Sequence, residues 1–124
     1  MRKLIIYLVI LLTVTGCAST SVKETISSSS KTVTSSEASS LIEDGAILID
    51  VRTKEEYDEK HISGAVNIPL SDIEEGNIDY DKDKDIIVYC RSGNRSKTAA
   101  KQLIVLGYTK VYDLGSINNW KETE

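Results

Sequence analysis

The sequence predicts an α/β fold of three layers: a mainly parallel sheet flanked by helices on both faces. Three observations lead there. Short apolar runs of strand length recur at Ala46–Ile49, Ala65–Ile68, Ile86–Tyr89 and Val111–Tyr112. Segments with helix-capping chemistry separate them. The Ala46–Ile49 and Ile86–Tyr89 runs are continuously apolar rather than alternating, as strands covered on both sides must be.

The chain opens outside that pattern. Arg2 and Lys3 precede the apolar stretch Leu4–Val14. As a helix that stretch reaches roughly 16 Å, about half a hydrocarbon core, which suits an export signal better than a membrane span. Val14-Thr15-Gly16-Cys17 then resembles the lipobox of bacterial lipoproteins. The resemblance implies cleavage before Cys17, lipidation of Cys17 and an anchor on the extracytoplasmic face of a bacterial membrane. The expected organisation is a signal peptide at 1–16, a lipidated Cys17 with a Ser/Thr-rich flexible tether to residue 33, and one domain over 34–124.

Within the domain each element has a local cause. Thr34 and Glu37 form a capping box ahead of Ala38, Leu41 and Ile42, and Gly45 closes that short helix. Ala46–Ile49 reads as a strand ending at Asp50. Thr53 and Glu56 form a second capping box, opening a helix through Tyr57. Ala65–Ile68 is a short strand stopped by Pro69. Ser71 is expected to cap a further turn. Ile86–Tyr89 is the third strand. Ser96–Leu106 is read as a helix on Ala99, Leu103 and Leu106, with Gly107 as its stop. Val111–Tyr112 is the last strand, and Ile117 and Trp120 pack a terminal turn onto the core.

Charge and composition exclude several functions. The net charge is −4 over 124 residues and becomes −6 once Arg2 and Lys3 leave with the signal peptide. No basic stripe is visible, so no nucleic-acid partner is expected. With 2 Cys and 1 His the chain has too few ligands for a four-ligand structural zinc site unless carboxylates supply the rest. Asp79–Asp85 has some calcium-loop character, but Lys84 and Cys90 stand where Gly and Glu are needed, so it reads as a solvated turn.

The chemistry concentrates after the third strand, in Cys90-Arg91-Ser92-Gly93-Asn94-Arg95-Ser96. A thiol at the mouth of a tight turn faces backbone N–H groups, with Gly93 and Asn94 as residues tolerant of positive φ. The helix behind aims its positive end at the loop, and Arg91 and Arg95 add charge. All three favour thiolate, so Cys90 is expected to be a nucleophile with a lowered pKa. With Cys17 lipidated, Cys90 also has no disulfide partner.

With its flanks this loop resembles the rhodanese family of sulfurtransferases. The resemblance runs from about Val33 to Trp120. It includes Asp50-Val51-Arg52 with Glu56-Tyr57, His61–Pro69, the Cys90 loop, and Leu106-Gly107-Tyr108 with Val111, Leu114-Gly115 and Trp120. Lys60 and Ser116 stand where the family has Gly. The resemblance implies a rhodanese-like fold and transfer of a sulfane sulfur, from a small anionic donor such as thiosulfate to a thiophilic acceptor (cyanide or a thiol), through a Cys90 persulfide and with neither metal nor organic cofactor. Arg91, Ser92, Gly93, Asn94 and Arg95 would bind donor and persulfide, with Asp50, Arg52 and Ser96 in support. The spacing Cys-x4-Arg sets it apart from phosphatases and arsenate reductases of related fold, which use a wider Cys-x5-Arg cradle. The alternative is a rhodanese-fold binding or sulfur-relay module with a protein acceptor. Arg52 is expected to pair with Glu56, Asp50 to brace turn N–H groups, and His61 to meet a turn carbonyl rather than act as a base.

Overall fold

The structure, a computed structural model, describes residues 29–122. The signal peptide, Cys17 and the N-terminal part of the tether lie outside the described residues, as do Thr123 and Glu124. Strand β1 (Lys31–Thr32) is followed by α1 (Ser35–Glu43), β2 (Ile47–Asp50), α2 (Lys54–Glu59), β3 (Val66–Asn67) and α3 (Leu70–Glu74). Then come β4 (Asp85–Cys90), α4 (Asn94–Val105), β5 (Lys110–Ser116) and a 3-10 turn at Ile117–Asn119. The five strands form one sheet in the order β1-β5-β4-β2-β3, and every pairing is parallel.

Alternation along the strands builds two cores. Ile86, Val88 and Cys90 of β4 face Ala99, Ala100 and Leu103 of α4 and Ile73 of α3. Ile87 and Tyr89, with Leu48 and Leu114, face Ala38 and the half-buried Leu41, Ile42 and Tyr57 of α1 and α2. Both sides of β4 are therefore covered, as its apolar sequence requires: residues 86–90 are all fully buried.

Both expected capping boxes form. Thr34 Oγ1 accepts from Glu37 N at 3.2 Å and Thr53 Oγ1 from Glu56 N at 3.3 Å, and each glutamate accepts the N–H of its threonine in return. The glycine stops hold too, with φ +100° at Gly45 and +99° at Gly107. Ile117 and Trp120 are half-buried against the α1 and α2 side.

Four local readings need correction. Lys31–Thr32, expected within the tether, pairs with Tyr112 and Asp113 of β5; two residues carry no periodicity by which to be recognised. Ser71 caps nothing: α3 begins at Leu70 after Pro69, without a side-chain cap. Helix α4 starts at Asn94, two residues before Ser96, because Gly93 supplies the left-handed cap. β5 runs on to Ser116, carried past Tyr112 by its pairing with β4 through an irregular step at Val88 and Tyr89.

Connections from β2 and β4, neighbours in the sheet, leave in opposite directions: β2 leads toward β3 and β4 toward β5. Such a switch point opens a crevice beyond the carboxyl ends of the two strands. Asp50 ends β2 and Cys90 ends β4, so the two loaded loops meet there.

Candidate active site

Cys90 sits at the last position of β4, fully buried, and its Sγ accepts the backbone N–H of Gly93 at 3.0 Å. Gly93 makes this contact because its φ is +97°, which reverses the chain within three residues. The same residue is the N-cap of α4, and Ser96 Oγ donates to its carbonyl at 3.0 Å. Asn94 does not share the left-handed conformation, contrary to expectation: among the described residues every positive φ belongs to a glycine. One such residue suffices to turn the chain, so Asn94 is free to open the helix.

The loop is tied down on two sides. Ser116 Oγ donates to the Arg91 carbonyl at 2.6 Å and accepts the N–H of Asn118, so the end of β5 braces the loop entrance. On the other side Arg95 donates to both carboxylate oxygens of Glu56, at 2.7 and 2.9 Å. The same carboxylate caps α2 through the Thr53 N–H. The Arg95 guanidinium, helped against burial by the Thr53 contacts, holds the Glu56 carboxyl at about 2, below its ordinary value of 4.5. Glu56 in turn, and to a lesser degree the Cys90 sulfur, raise the affinity of Arg95 for its proton.

Arg52 does not pair with Glu56. Its Nε and Nη2 hold Asp50 at 2.7 to 3.1 Å, and its backbone N–H reaches Asp50 Oδ1 at 2.9 Å. The reason is burial. Asp50 is wholly enclosed and Arg52 is the cation within reach, whereas Glu56 lies on the outer face of α2 toward Arg95. The expectation that Asp50 braces a turn N–H holds. Tyr89 Oη adds a bond to Asp50 Oδ2 at 2.8 Å and accepts the Ile62 N–H at 3.1 Å. Burial first of all, with Asp50 beside it, pushes the Tyr89 phenol well above its ordinary pKa. Asn67 Nδ2 then bridges the carbonyls of Asp50 and Arg52.

Both family departures fit their places. Lys60 has φ −163°, extended backbone that any residue adopts, and its carbonyl accepts from Arg52 Nη2 at 2.5 Å. Ser116 has φ −76° and caps the 3-10 turn. His61 Nδ1 lies 2.8 Å from the Tyr57 carbonyl, with its ring stacked on Tyr57 at 3.8 Å, the turn-carbonyl contact expected of it. Among the described residues no three His, Cys, Asp or Glu side chains gather to hold a metal. At the Arg91 side of the loop lies an open depression of about 400 Å³, whose walls include Arg52, Glu56, Glu59, Lys60, Arg91 and Asn118. Arg91 and Ser92 are both exposed.

The rhodanese-like domain family matches residues 34–123. The chain belongs to that family. Similar proteins include the thiosulfate sulfurtransferase GlpE of Coxiella burnetii, 34% identical over 60% of this chain and 71% of that protein. The thiosulfate sulfurtransferase PspE of Escherichia coli is 38% identical over 57% and 70%. The human single-domain sulfurtransferase TSTD1 superposes with a TM-score of 0.68 at 29% identity, covering 77% of this chain and all of its own. A structure described as rhodanese with anions from E. coli superposes at 0.58 with 34% identity, covering 64% and 95%. The expected enzyme class, a rhodanese-type sulfurtransferase, is the class these relatives carry in their names. Residues 1–18 match the prokaryotic membrane lipoprotein lipid attachment site, and among the described residues no helix is long and apolar enough to cross a membrane.

In this rhodanese-like domain the expected site residues separate into two groups. Cys90, Arg91, Ser92, Gly93, Asn94, Arg95 and Ser96 form the loop and the start of α4; Asp50 and Arg52 form a buried pair beside it under Tyr89. Glu56, Tyr89, Asn67 and Ser116 were missed as parts of the site. Tyr89 carried a signal, since a phenol in a buried strand must find a partner for its hydroxyl. Glu56 carried only its role in the capping box.

Proposed function

We propose that this rhodanese-like domain moves a sulfane sulfur from an anionic donor such as thiosulfate to a thiophilic acceptor, with Cys90 as the carrier. The observation that supports this most is the Gly93 N–H aimed at Cys90 Sγ from the N-terminus of α4. A hydrogen bond and a helix dipole at that point both stabilise negative charge on the sulfur.

The Cys90 thiolate attacks the outer sulfur of thiosulfate. A new S–S bond forms, the old one breaks, and sulfite leaves with its electron pair. Cys90 then carries a persulfide whose terminal sulfur is anionic. The Gly93 N–H faces that sulfur, and the N–H groups of the first turn of α4, which lack intrahelical acceptors, would add to the stabilisation of its charge. In the second half cyanide or a thiol attacks the terminal sulfur and the Cys90 thiolate returns. Arg91, exposed at the loop entrance, meets the donor. Arg95 holds the loop to α2, its charge already met by Glu56. Asp50, Arg52 and Ser96 keep the two loops in register. The lipid attachment site supports placing the domain outside the cytoplasmic membrane on a Cys17 anchor.

Intact-mass measurement after thiosulfate treatment tests the reading. One added sulfur atom on the wild type, removed by cyanide and absent from Cys90→Ser, is the expected result. A wild type that gains nothing, or a Cys90→Ser variant with unchanged cyanide-dependent turnover, rejects it.

A further inference from the structure

Four cations lie on or beside the depression bordered by Arg91, the residue after Cys90, and they are not equivalent. Arg52 is bound to Asp50 and Arg95 to Glu56, each through paired hydrogen bonds to a carboxylate. Arg91 and Lys60 are exposed, border the same 400 Å³ depression and form no ion pair among the described residues. The backbone of Lys60 is fixed at both ends: its N–H donates to the Glu56 carbonyl at 3.2 Å, and its carbonyl accepts from Arg52. The side chain therefore starts from a set point on the rim.

We propose that Lys60 is a specificity-determining residue, which with Arg91 supplies the uncompensated positive charge that draws an anionic sulfur donor to Cys90. This rests on the sulfurtransferase reading above. Among the described residues the one acid on the rim without a partner is Glu59, which opposes the two cations and leaves the rim positive by one charge. The domain as a whole is acidic, so an approaching dianion is otherwise repelled. A dianion gains twice what a monoanion gains from the same lysine, so Lys60 discriminates by donor charge.

The test is the rate at which Cys90 of the full chain gains a sulfur atom, read by mass spectrometry, with thiosulfate and with a monoanionic alkyl thiosulfonate. In low salt Lys60→Gln is expected to slow thiosulfate about threefold and the monoanion less, the gap closing as salt screens the rim. Lys60→Arg restores the rate, and Glu59→Gln raises it. Turnover by Lys60→Gln is expected to show a raised KM for thiosulfate with kcat unchanged. Equal rates for Lys60→Gln and wild type, or equal losses with both donors, overturn the role of Lys60 and leave the sulfurtransferase reading standing. A wild type that takes no sulfur from either donor overturns both.

Discussion

Glu56 and Arg95, 39 residues apart in the chain, are joined by two hydrogen bonds of 2.7 and 2.9 Å that tie the start of α2 to the start of α4. The pair is about a third exposed, so its worth is that of a partly screened ion pair with a cap attached, about 1 kcal/mol. Its pH dependence has a definite sign. The Glu56 carboxyl titrates near 2 in the fold against an ordinary 4.5. A lowered carboxyl stabilises the fold above its unfolded pKa and stops doing so as pH falls through the folded one. The stability gap between wild type and Glu56→Gln should thus be full above about pH 5 and shrink between pH 4.5 and 2. Urea midpoints across that range check it; a gap that widens on acidification contradicts it.

Gly93→Ala isolates the turn at Cys90. A Cβ there meets its nearest neighbour, Gly115 Cα, at 3.7 Å, ordinary contact distance. Space is therefore not the obstacle; the φ of +97° is, at about 1–2 kcal/mol. Relief of that strain rotates the Gly93 N–H away from Sγ. Thermal unfolding should show the loss of stability, and sulfuration of Cys90 by thiosulfate should slow at temperatures where the variant remains folded. A variant with lowered stability and an unchanged sulfuration rate would separate the turn from the chemistry.

The buried pair under the site responds more strongly. Asp50 accepts from Arg52 and from Tyr89, all three enclosed. Asp50→Asn leaves the Arg52 charge without its counter-ion and should cost about 3 kcal/mol or more. Tyr89→Phe removes one hydroxyl that serves both Asp50 and the Ile62 N–H, for about 1–2 kcal/mol. Because both changes act on one network, the double variant should lose less than the sum of the single losses. Denaturant titrations of the three variants measure this, and strict additivity would mean the groups act independently.

What the sequence disclosed follows the reach of each interaction. Thr34, Glu37, Thr53 and Glu56 act within one helical turn, so their capping boxes could be read directly, as could the stops at Gly45 and Gly107. The Cys90 loop was legible because its residues are contiguous. The Arg52 partner was not. Asp50 and Glu56 are both near it in sequence, and only the enclosure of Asp50 beneath Tyr89 decides between them. Glu56 with Arg95 needs the β2 and β4 ends side by side, which no local pattern encodes. β1 exists only because β5 offers an edge beside it.

Ser116 extends that argument to the far wall of the loop. It occupies a position with φ −76°, where glycine has no conformational advantage, and it adds a hydroxyl that glycine lacks. The hydroxyl donates to the Arg91 carbonyl at 2.6 Å while accepting from Asn118 N at 3.1 Å. Ser116→Ala therefore loses a cap, for about 1 kcal/mol, and unfastens the residue next to Cys90. Arg91 is exposed, so water can take over its carbonyl and the stability loss stays small. The larger expected effect is on donor binding, since Arg91 is no longer fixed over the rim: KM for thiosulfate should rise with kcat near wild type. Ser116→Thr keeps the hydroxyl and should behave as wild type. If alanine and threonine variants show the same KM, the bond to Arg91 has no part in placing its guanidinium.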